Sequence, residues 1–490
     1  MPSSRKSAVR SGVVTGLSNL AISGSAAVAA AYLAHEFGRG AETDGFLAAY
    51  GIYLVLVLGA QAFRLVAVPD LTRAAAEDRL AAEARAYVVA FLVVAVPISV
   101  AAALLAHPIG EAITGRLPPR AADVAARAVV WLVPAAFVQL LAAVAASALA
   151  ARDSYGVAAA GYGLGAAVGV GVFVAFAHSH GLITLAWGLA ANATISLGLP
   201  LVALAAQGDV TLRGTAGGAV LRRLGRFVEG AAVPLALQAL YLVSLRAAAG
   251  LGQGKVTSLF YAYLLAATLV TATASSLSLI SSAPLTRRAL DPRSAAEHVV
   301  HSSWISLALI AAAAGVFALV GGRLVAFVLG HAYSGDVGRE LGRLVVAFAP
   351  WMVVTVAYTV TFPLVFVMER RRYLVGLAVA ALLVHVPITL GLRAAFGLNG
   401  IALALAVTTA LVLVALTVAV SPRMLALSAA GLGRLALEVG AVAAASFGVL
   451  SLFLRDVSAA VLGLALYTAV LAAIRPRGLR EAWSYVRALH

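Results

Sequence analysis

Long apolar runs, each about the length that crosses a membrane, recur from one end of the chain to the other. A transmembrane helix needs roughly 20 mostly apolar residues to cross a hydrocarbon core of about 30 Å. The mean hydropathy is +1.00 and charged residues make up only 11% of the chain, outside the usual range of soluble domains. We therefore predict an all-α polytopic membrane protein with about 14 transmembrane helices. The predicted spans are 12–34, 45–69, 86–106, 124–150, 155–177, 181–206, 228–249, 256–282, 298–320, 344–367, 374–391, 400–420, 435–454 and 458–474.

Positive charges fall mainly on one side of the predicted membrane. If the N-terminus is cytoplasmic, roughly twice as many arginines and lysines lie in inner as in outer segments, so both termini are predicted to be cytoplasmic. The same bias accounts for the net charge of +15, with anionic membrane lipids as partners and no nucleic acid. Abundant alanine and arginine are typical of a GC-rich bacterial genome. We expect a multi-pass protein of the bacterial inner (cytoplasmic) membrane.

No catalytic motif stands out. The stretch GLGQGKVT at 250–257 resembles a phosphate-binding loop, but Val256 and Ala249 stand where that loop needs Ser or Thr and Gly. Neither close pair of histidines has carboxylates at metal-ligand spacing, the chain has no cysteine, and the loops are too short for a soluble catalytic domain. We expect no enzyme activity, catalytic residue, metal or cofactor. A membrane-embedded glycosyltransferase or polymerase is the weaker alternative.

Two similar stretches lie half a chain apart. FGRGAETDGFLAAY at 37–50 and LGQGKVTSLFYAYLL at 251–265 each join a Gly-x-Gly turn to a threonine and an apolar run. VPDLTR at 68–73 and APLTR at 283–287 then end the two units in a similar way. The offset of six helices is even, which indicates a parallel repeat with two pseudo-symmetric six-helix lobes. The predicted lobes are residues 1–212 and 213–424, and two C-terminal helices with a cytoplasmic tail occupy residues 425–490.

Polar groups deep inside the spans are candidates for lining a transport pathway, because they rarely face lipid. Two facing lobes suit alternating access around a site near the midplane. Arg64 could bind a phosphate through charge-assisted hydrogen bonds, or its side chain could equally extend to the lipid headgroups. For Arg246, extension to the headgroups is the favoured explanation. Asp44 could simply favour the positive end of its helix. The substrate-binding candidates are Arg64, Asp44, Gln61, Asn19, Ser23, Gln238, Arg246, Tyr261 and Tyr263.

The stretch FGRGAETDGFLAAY resembles the junction of the first two helices in the lipid II flippases (MviN/MurJ type) of the multidrug/oligosaccharidyl-lipid/polysaccharide (MOP) exporter superfamily. That junction typically runs Phe-Gly-x-Gly-x-x-Thr-Asp-x-Phe-x-x-Ala. The resemblance extends through VPDLTR, KVTSLFYAYLL and, weakly, FGLNGIALALAVTTAL at 396–411. The two C-terminal helices fit the same family, since drug and toxin antiporters of the superfamily usually stop at twelve.

The resemblance implies a flippase that moves a lipid II-like polyprenyl-pyrophosphate saccharide to the outer leaflet, for peptidoglycan biosynthesis or polysaccharide export. It matches Asp44 to a functional aspartate of the family. The arginines of the family fall on Ser23, Ala29, Val57 and Leu264, which leaves the saccharide open. The expected partners are that substrate and a coupling ion, with the chain as a monomer. The alternatives are an ion-coupled drug exporter of the superfamily, which needs a carboxylate in its cavity, and a non-transporting scaffold in cell-envelope assembly.

Overall fold

The computed structural model describes residues 2–152, 154–207, 217–271, 292–367 and 373–474. Within these ranges its description leaves out the side chains of residues 2–16, 19, 58–69, 155, 217–222, 226, 363, 366 and 367. In the described part of the chain, all regular secondary structure is helical and there is no β-strand. The helices are α1 (Pro2–Phe37), α2 (Ala41–Ala76), α3 (Leu80–Leu104), α4 (Ala106–Thr114), α5 (Pro119–Ala150), α6 (Tyr155–His180), α7 (Ile183–Ala206), α8 (Gly217–Ala249), α9 (Lys255–Val270), α10 (Pro292–Leu329), α11 (Gly335–Ala347), α12 (Ala349–Val367), α13 (Leu374–Val420), α14 (Pro422–Phe453) and α15 (Asp456–Ile474), with a short 3-10 turn at His331–Tyr333.

Eleven helical segments in the described part are long and apolar enough to cross a membrane. Each predicted span overlaps a helix, and residues 272–282 of the eighth span lie outside the described residues. The all-α polytopic class predicted from the apolar runs is therefore confirmed. Two short helices, α4 and α11, precede spans and were not predicted, because their sequences are amphipathic and not uniformly apolar.

The helix α13 contains two predicted spans joined without a loop. Its 47 residues would extend about 70 Å as a straight helix, more than twice the hydrocarbon thickness. Gly397 interrupts it with φ 59° and ψ −131°, a conformation that glycine adopts without a steric penalty. A Cβ on Gly400 would overlap the carbonyl of Leu392, so the chain turns too tightly there for any larger residue. The two predicted spans therefore correspond to two helical segments of α13 that meet at Gly397.

The chain divides into two compact units, residues 1–256 and 257–490. In the first unit, α2 packs along α5 and α8, while α6 packs along α7. Close approach of α6 and α7 depends on small residues, since a Cβ on Gly169 would stand 2.6 Å from the carbonyl oxygen of Gly188. The unit boundary assigns α8 to the first unit, whereas the sequence repeat groups α8 with the second lobe. The lobe boundaries taken from the repeat stay a prediction.

In the second unit, the two C-terminal helices pack against α10. Trp304 and Leu307 of α10 form a buried cluster with Phe447 of α14 and Tyr467 of α15. The Tyr467 hydroxyl donates a hydrogen bond of 2.8 Å to the carbonyl of Ala308. This contact satisfies the one polar atom that the tyrosine brings into an otherwise apolar cluster. The helices α14 and α15 are thus an integral layer of the second unit.

Candidate functional site

The two Gly-x-Gly turns that the sequence pairs as repeats meet in the first unit. The backbone N–H of Gly254 donates to Oδ2 of Asp44, and Nε of Arg39 donates to the carbonyl of Gly254 at 2.7 Å. Gly254 has φ 79°, and a Cβ there would stand 2.8 Å from Cγ of Arg39. Glycine is therefore required both by the backbone conformation and by the space. We call this arrangement of Arg39, Asp44 and Gly254 the Gly254 clamp.

Asp44 is the only carboxylate residue that is fully buried among the described side chains. It stands in the first turn of α2, where its own N–H donates to the carbonyl of Gly40 at 2.9 Å. The positive end of the helix stabilises a carboxylate at this place, and a charged acceptor strengthens the bond from Gly254. The structure thus adds a third role to the two that the sequence offered for Asp44, that of holding the turn between α8 and α9. Its role in substrate binding stays a prediction.

Arg246 makes a second attachment at the same end of α8. Its Nε donates to the carbonyl of Ala112 in α4 at 2.6 Å. The guanidinium lies against Gly115, which has φ 62° and where a Cβ would overlap the arginine. Arg246 is exposed. Arg246 therefore bridges α8 to α4, and its predicted role in substrate binding stays a prediction.

The other end of α8 is attached by a salt bridge that sequence reasoning missed. Arg223 forms two hydrogen bonds with Glu83 of α3, from Nε to Oε1 at 2.7 Å and from Nη2 to Oε2. Only 13% and 18% of the two side chains are exposed. The guanidinium also lies over the ring of Tyr87 at 5.5 Å from its centroid, and the Tyr87 hydroxyl donates to Asp70 at 3.0 Å. We call this contact the Arg223–Glu83 pair.

The remaining candidates of the first unit occupy varied environments. Ser23, at a position where the family has arginine, is exposed on α1. Gln238 is 6% exposed in the middle of α8. The side chains of Asn19, Gln61 and Arg64 lie outside the described residues.

Two further candidates belong to the second unit. Tyr261 of α9 is 2% exposed, and its ring meets that of Tyr333 edge-on at 5.4 Å. Tyr263 packs against the rings of Phe348 and Trp351, with centroids 6.0 Å and 5.1 Å away. Both tyrosines are therefore held within an aromatic cluster, and their predicted contact with substrate stays untested.

The described residues include no group of three or more His, Asp or Glu side chains close enough to hold a metal ion. The polar contacts of the first unit are instead charge-assisted bonds that tie α8 to its neighbours at both ends. From Arg223 to the last residue of α8, Ala249, the helix rises about 40 Å, so the Gly254 clamp and the Arg223–Glu83 pair stand near opposite ends of α8. These contacts fix each end of α8 to its neighbours through a small number of bonds.

The fold is similar to that of the lipid II flippase MurJ in an inward closed conformation. The TM-score is 0.74 at 13% identity, over 96% of this chain and 99% of that chain. An inward-facing multidrug resistance MATE family transporter of the MOP superfamily matches with a TM-score of 0.63 at 13% identity, over 86% of this chain and 98% of that one. A MOP superfamily transporter from Pyrococcus furiosus matches with a TM-score of 0.56 at 15% identity, over 86% and 96%. No model of a known protein family matches the sequence, and no curated protein does so.

The resemblance indicated by FGRGAETDGFLAAY is therefore confirmed as a resemblance in fold. The fold of this chain is similar to that of MurJ over 96% of its length. The MATE transporters share most of that architecture but match a smaller part of this chain.

Proposed function

We propose that this chain is a MOP-superfamily transporter that moves a polyprenyl-pyrophosphate-linked saccharide from the inner to the outer leaflet of the bacterial inner membrane. The observation that carries the proposal is the extent of the fold similarity, which reaches 96% of this chain for the lipid II flippase MurJ but 86% for the MATE transporter. The part outside the MATE match is about as long as the segment after residue 424, which contains α14 and α15. A lipid-linked substrate needs more apolar contact surface than a small drug, and these helices supply it.

In this proposal, the contacts at the two ends of α8 close the transport pathway, one at each side of the membrane. The charge distribution predicts that the Gly254 clamp lies at the outer side and the Arg223–Glu83 pair at the inner side. Alternating access requires one closure to open while the other holds. Each depends on a charge-assisted contact that is worth a few kcal/mol, which is strong enough to close a pathway and weak enough to open during turnover.

The saccharide is left open because the chain departs from the arginines of the family. Ser23, Ala29 and Val57 carry no charge, so they cannot pair with a pyrophosphate. Arg64 lies one or two turns beyond Val57 in the same helix, and in our proposal it supplies the missing cation. A single arginine gives fewer charge-assisted bonds than a set, which favours a substrate other than lipid II itself.

The proposal is tested by depleting the protein in its bacterium and measuring lipid-linked precursors on the inner leaflet. We expect precursors to accumulate, and wild type to relieve the accumulation. Arg64→Ala should fail to relieve it, whereas the matched control Arg73→Ala should succeed, because Arg73 is 75% exposed near the end of the same helix. If no lipid-linked saccharide accumulates on depletion, the flippase proposal is wrong.

The fold similarity to MATE transporters favours an ion-coupled drug exporter as the second candidate. Such a transporter needs a titratable carboxylate, and Asp44 is the buried one among the described residues. Glu438 is less suitable because it pairs with Arg434 on an exposed face. Efflux of a cationic dye that is abolished by Asp44→Asn, without accumulation of precursors, would favour this candidate. If neither assay responds, the non-transporting scaffold is the better explanation.

A further inference from the structure

A cavity of about 560 Å³ in the second unit is lined by three arginines. Its walls come from the last turns of α10, the first turns of α11 and the start of α15. The arginines are Arg323, Arg339 and Arg343, and no candidate residue predicted from the sequence is among the lining residues. The cavity is therefore distinct from the predicted substrate-binding residues, and it could accept a ligand of its own.

Glycines bring these arginines together. The helices α10 and α11 cross at Gly322 and Gly338, where a Cβ on Gly338 would stand 2.7 Å from the carbonyl oxygen of Gly322. Contact at this distance is possible only between residues without side chains. Arg323 follows the crossing directly on α10. Arg339 and Arg343 are four residues apart on α11 and so share one face of that helix.

The carboxylates near the cavity leave an excess of positive charge. Arg339 pairs with Asp336, and Nη2 of Arg323 stands 3.5 Å from Oδ2 of Asp456. Arg343 donates from Nε to the backbone carbonyl of Arg339 at 3.4 Å, and it forms no salt bridge within the described part of the chain. Asp336 is 93% exposed, so its pairing with Arg339 is readily exchanged for another anion.

The N-terminus of α11 adds to this positive field. Ser334 and Gly335 line the cavity just before and at the first residue of the helix. The Ser334 hydroxyl donates to the carbonyl of His331 at 2.7 Å and does not cap the helix. The first N–H groups of α11 therefore face the same region as the arginines, with the positive end of the helix dipole.

Apolar side chains also line the cavity, which favours an amphiphile as the source of the anion. Phe317 and Leu319 of α10 are among its lining residues. Leu319 lies one turn before Arg323 on the same helix face, nearer the centre of the predicted span 298–320, and its side chain is partly exposed. A guanidinium beside exposed apolar surface fits an amphiphile better than a soluble ion. We propose that this cavity binds the phosphate of an anionic phospholipid headgroup, with the arginines holding the phosphate and Phe317 and Leu319 contacting the acyl chains.

The test is binding of phosphatidylglycerol to the purified full-length chain in detergent, measured by native mass spectrometry, with phosphatidylcholine as the zwitterionic reference. We expect wild type to prefer phosphatidylglycerol. Arg339→Gln/Arg343→Gln should lower that affinity about tenfold or more, since two charge-assisted contacts are lost. The matched control is Arg116→Gln/Arg120→Gln, two exposed arginines with the same spacing before and at the start of α5, and it should bind like wild type.

A second variant should change the affinity for phosphatidylglycerol in the opposite direction. Asp336→Asn removes the competing carboxylate and should raise the affinity for phosphatidylglycerol, which a merely structural role of the cluster would not explain. Unchanged binding in the double arginine variant would overturn the proposal. Arginine-dependent binding of inorganic phosphate, with no preference for phosphatidylglycerol over phosphatidylcholine, would overturn the lipid as the source. The site is independent of the transported substrate, so the double variant is expected to relieve precursor accumulation, and each proposal can fail without the other.

Discussion

Replacing Asp44 by alanine should release the turn between α8 and α9. The variant removes the charged acceptor of the Gly254 N–H. A hydrogen bond to a charged group contributes about 1.5–3 kcal/mol, and Asp44 has 0% exposure, so solvent screening reduces this value little. The equilibrium between open and closed clamp should therefore shift by about 10- to 150-fold toward open. Asp44→Asn keeps a neutral acceptor, so it should shift the clamp equilibrium by a factor near the lower end of this range.

The absence of cysteine from the natural chain makes thiol labelling a clean assay. Ala48 is 1% exposed and lies on α2 between Asp44 and Gly51, each about one turn away. A Cβ on Gly51 would stand 2.7 Å from Leu245 of α8, so α8 covers this face of α2. With Ala48→Cys as the single thiol, the rate of modification by a membrane-impermeant maleimide should report the opening of the clamp.

The expected result is a labelling rate that rises in Asp44→Ala by about the factor calculated for the clamp equilibrium. Glu42→Ala is the matched control, since Glu42 is an exposed carboxylate in the same first turn, and it should label like the parent. If Asp44→Ala is folded and labels no faster than Glu42→Ala, the bond to Gly254 does not hold this side closed.

Three further perturbations test other parts of the structure by unfolding in detergent micelles. Glu83→Gln should lower the free energy of unfolding by about 3 kcal/mol, because it leaves its arginine partner as a buried charge, whereas the exposed Glu77→Gln should change it by less than about 1 kcal/mol. Gly397→Ala should destabilise by about 1 kcal/mol because its φ is 59°, while Gly391→Ala, with no neighbour within 4 Å of the added Cβ, should be neutral or stabilising. Tyr467→Phe should cost about 1 kcal/mol by removing the hydroxyl bond to the carbonyl of Ala308, and no loss would show that the bond does not hold α15.

The helices were predictable because each membrane crossing repeats one physical requirement. Every backbone N–H and C=O in the hydrocarbon core must be bonded within its own segment, so an apolar run of sufficient length has to be a helix. The same argument does not predict how spans are joined. The bend at Gly397 that divides α13 depends on a backbone angle, and the amphipathic α11 depends on packing against the glycines of α10.

The candidate site was predictable only in part. The sequence selected Asp44 through the motif FGRGAETDGFLAAY and paired its turn with the turn at 252–254. Similarity between two repeats does not place them in contact, so the bond from Gly254 to Asp44 could not be anticipated. Arg223 and Glu83 are 140 residues apart, and each resembles an ordinary charge at a membrane surface.

The sequence by itself determined the membrane-spanning character, the helical class and the resemblance to MOP exporters, because these depend on hydrophobic length and on a local motif. Only the tertiary structure decided which charged groups are paired, since a salt bridge or a hydrogen bond depends on distances between residues far apart in the chain. The Gly254 clamp, the Arg223–Glu83 pair and the arginine cavity between α10 and α11 all arise from that convergence. The charges that the sequence could assign only to the membrane surface become, in three dimensions, the contacts that hold α8 and the groups that face the cavity.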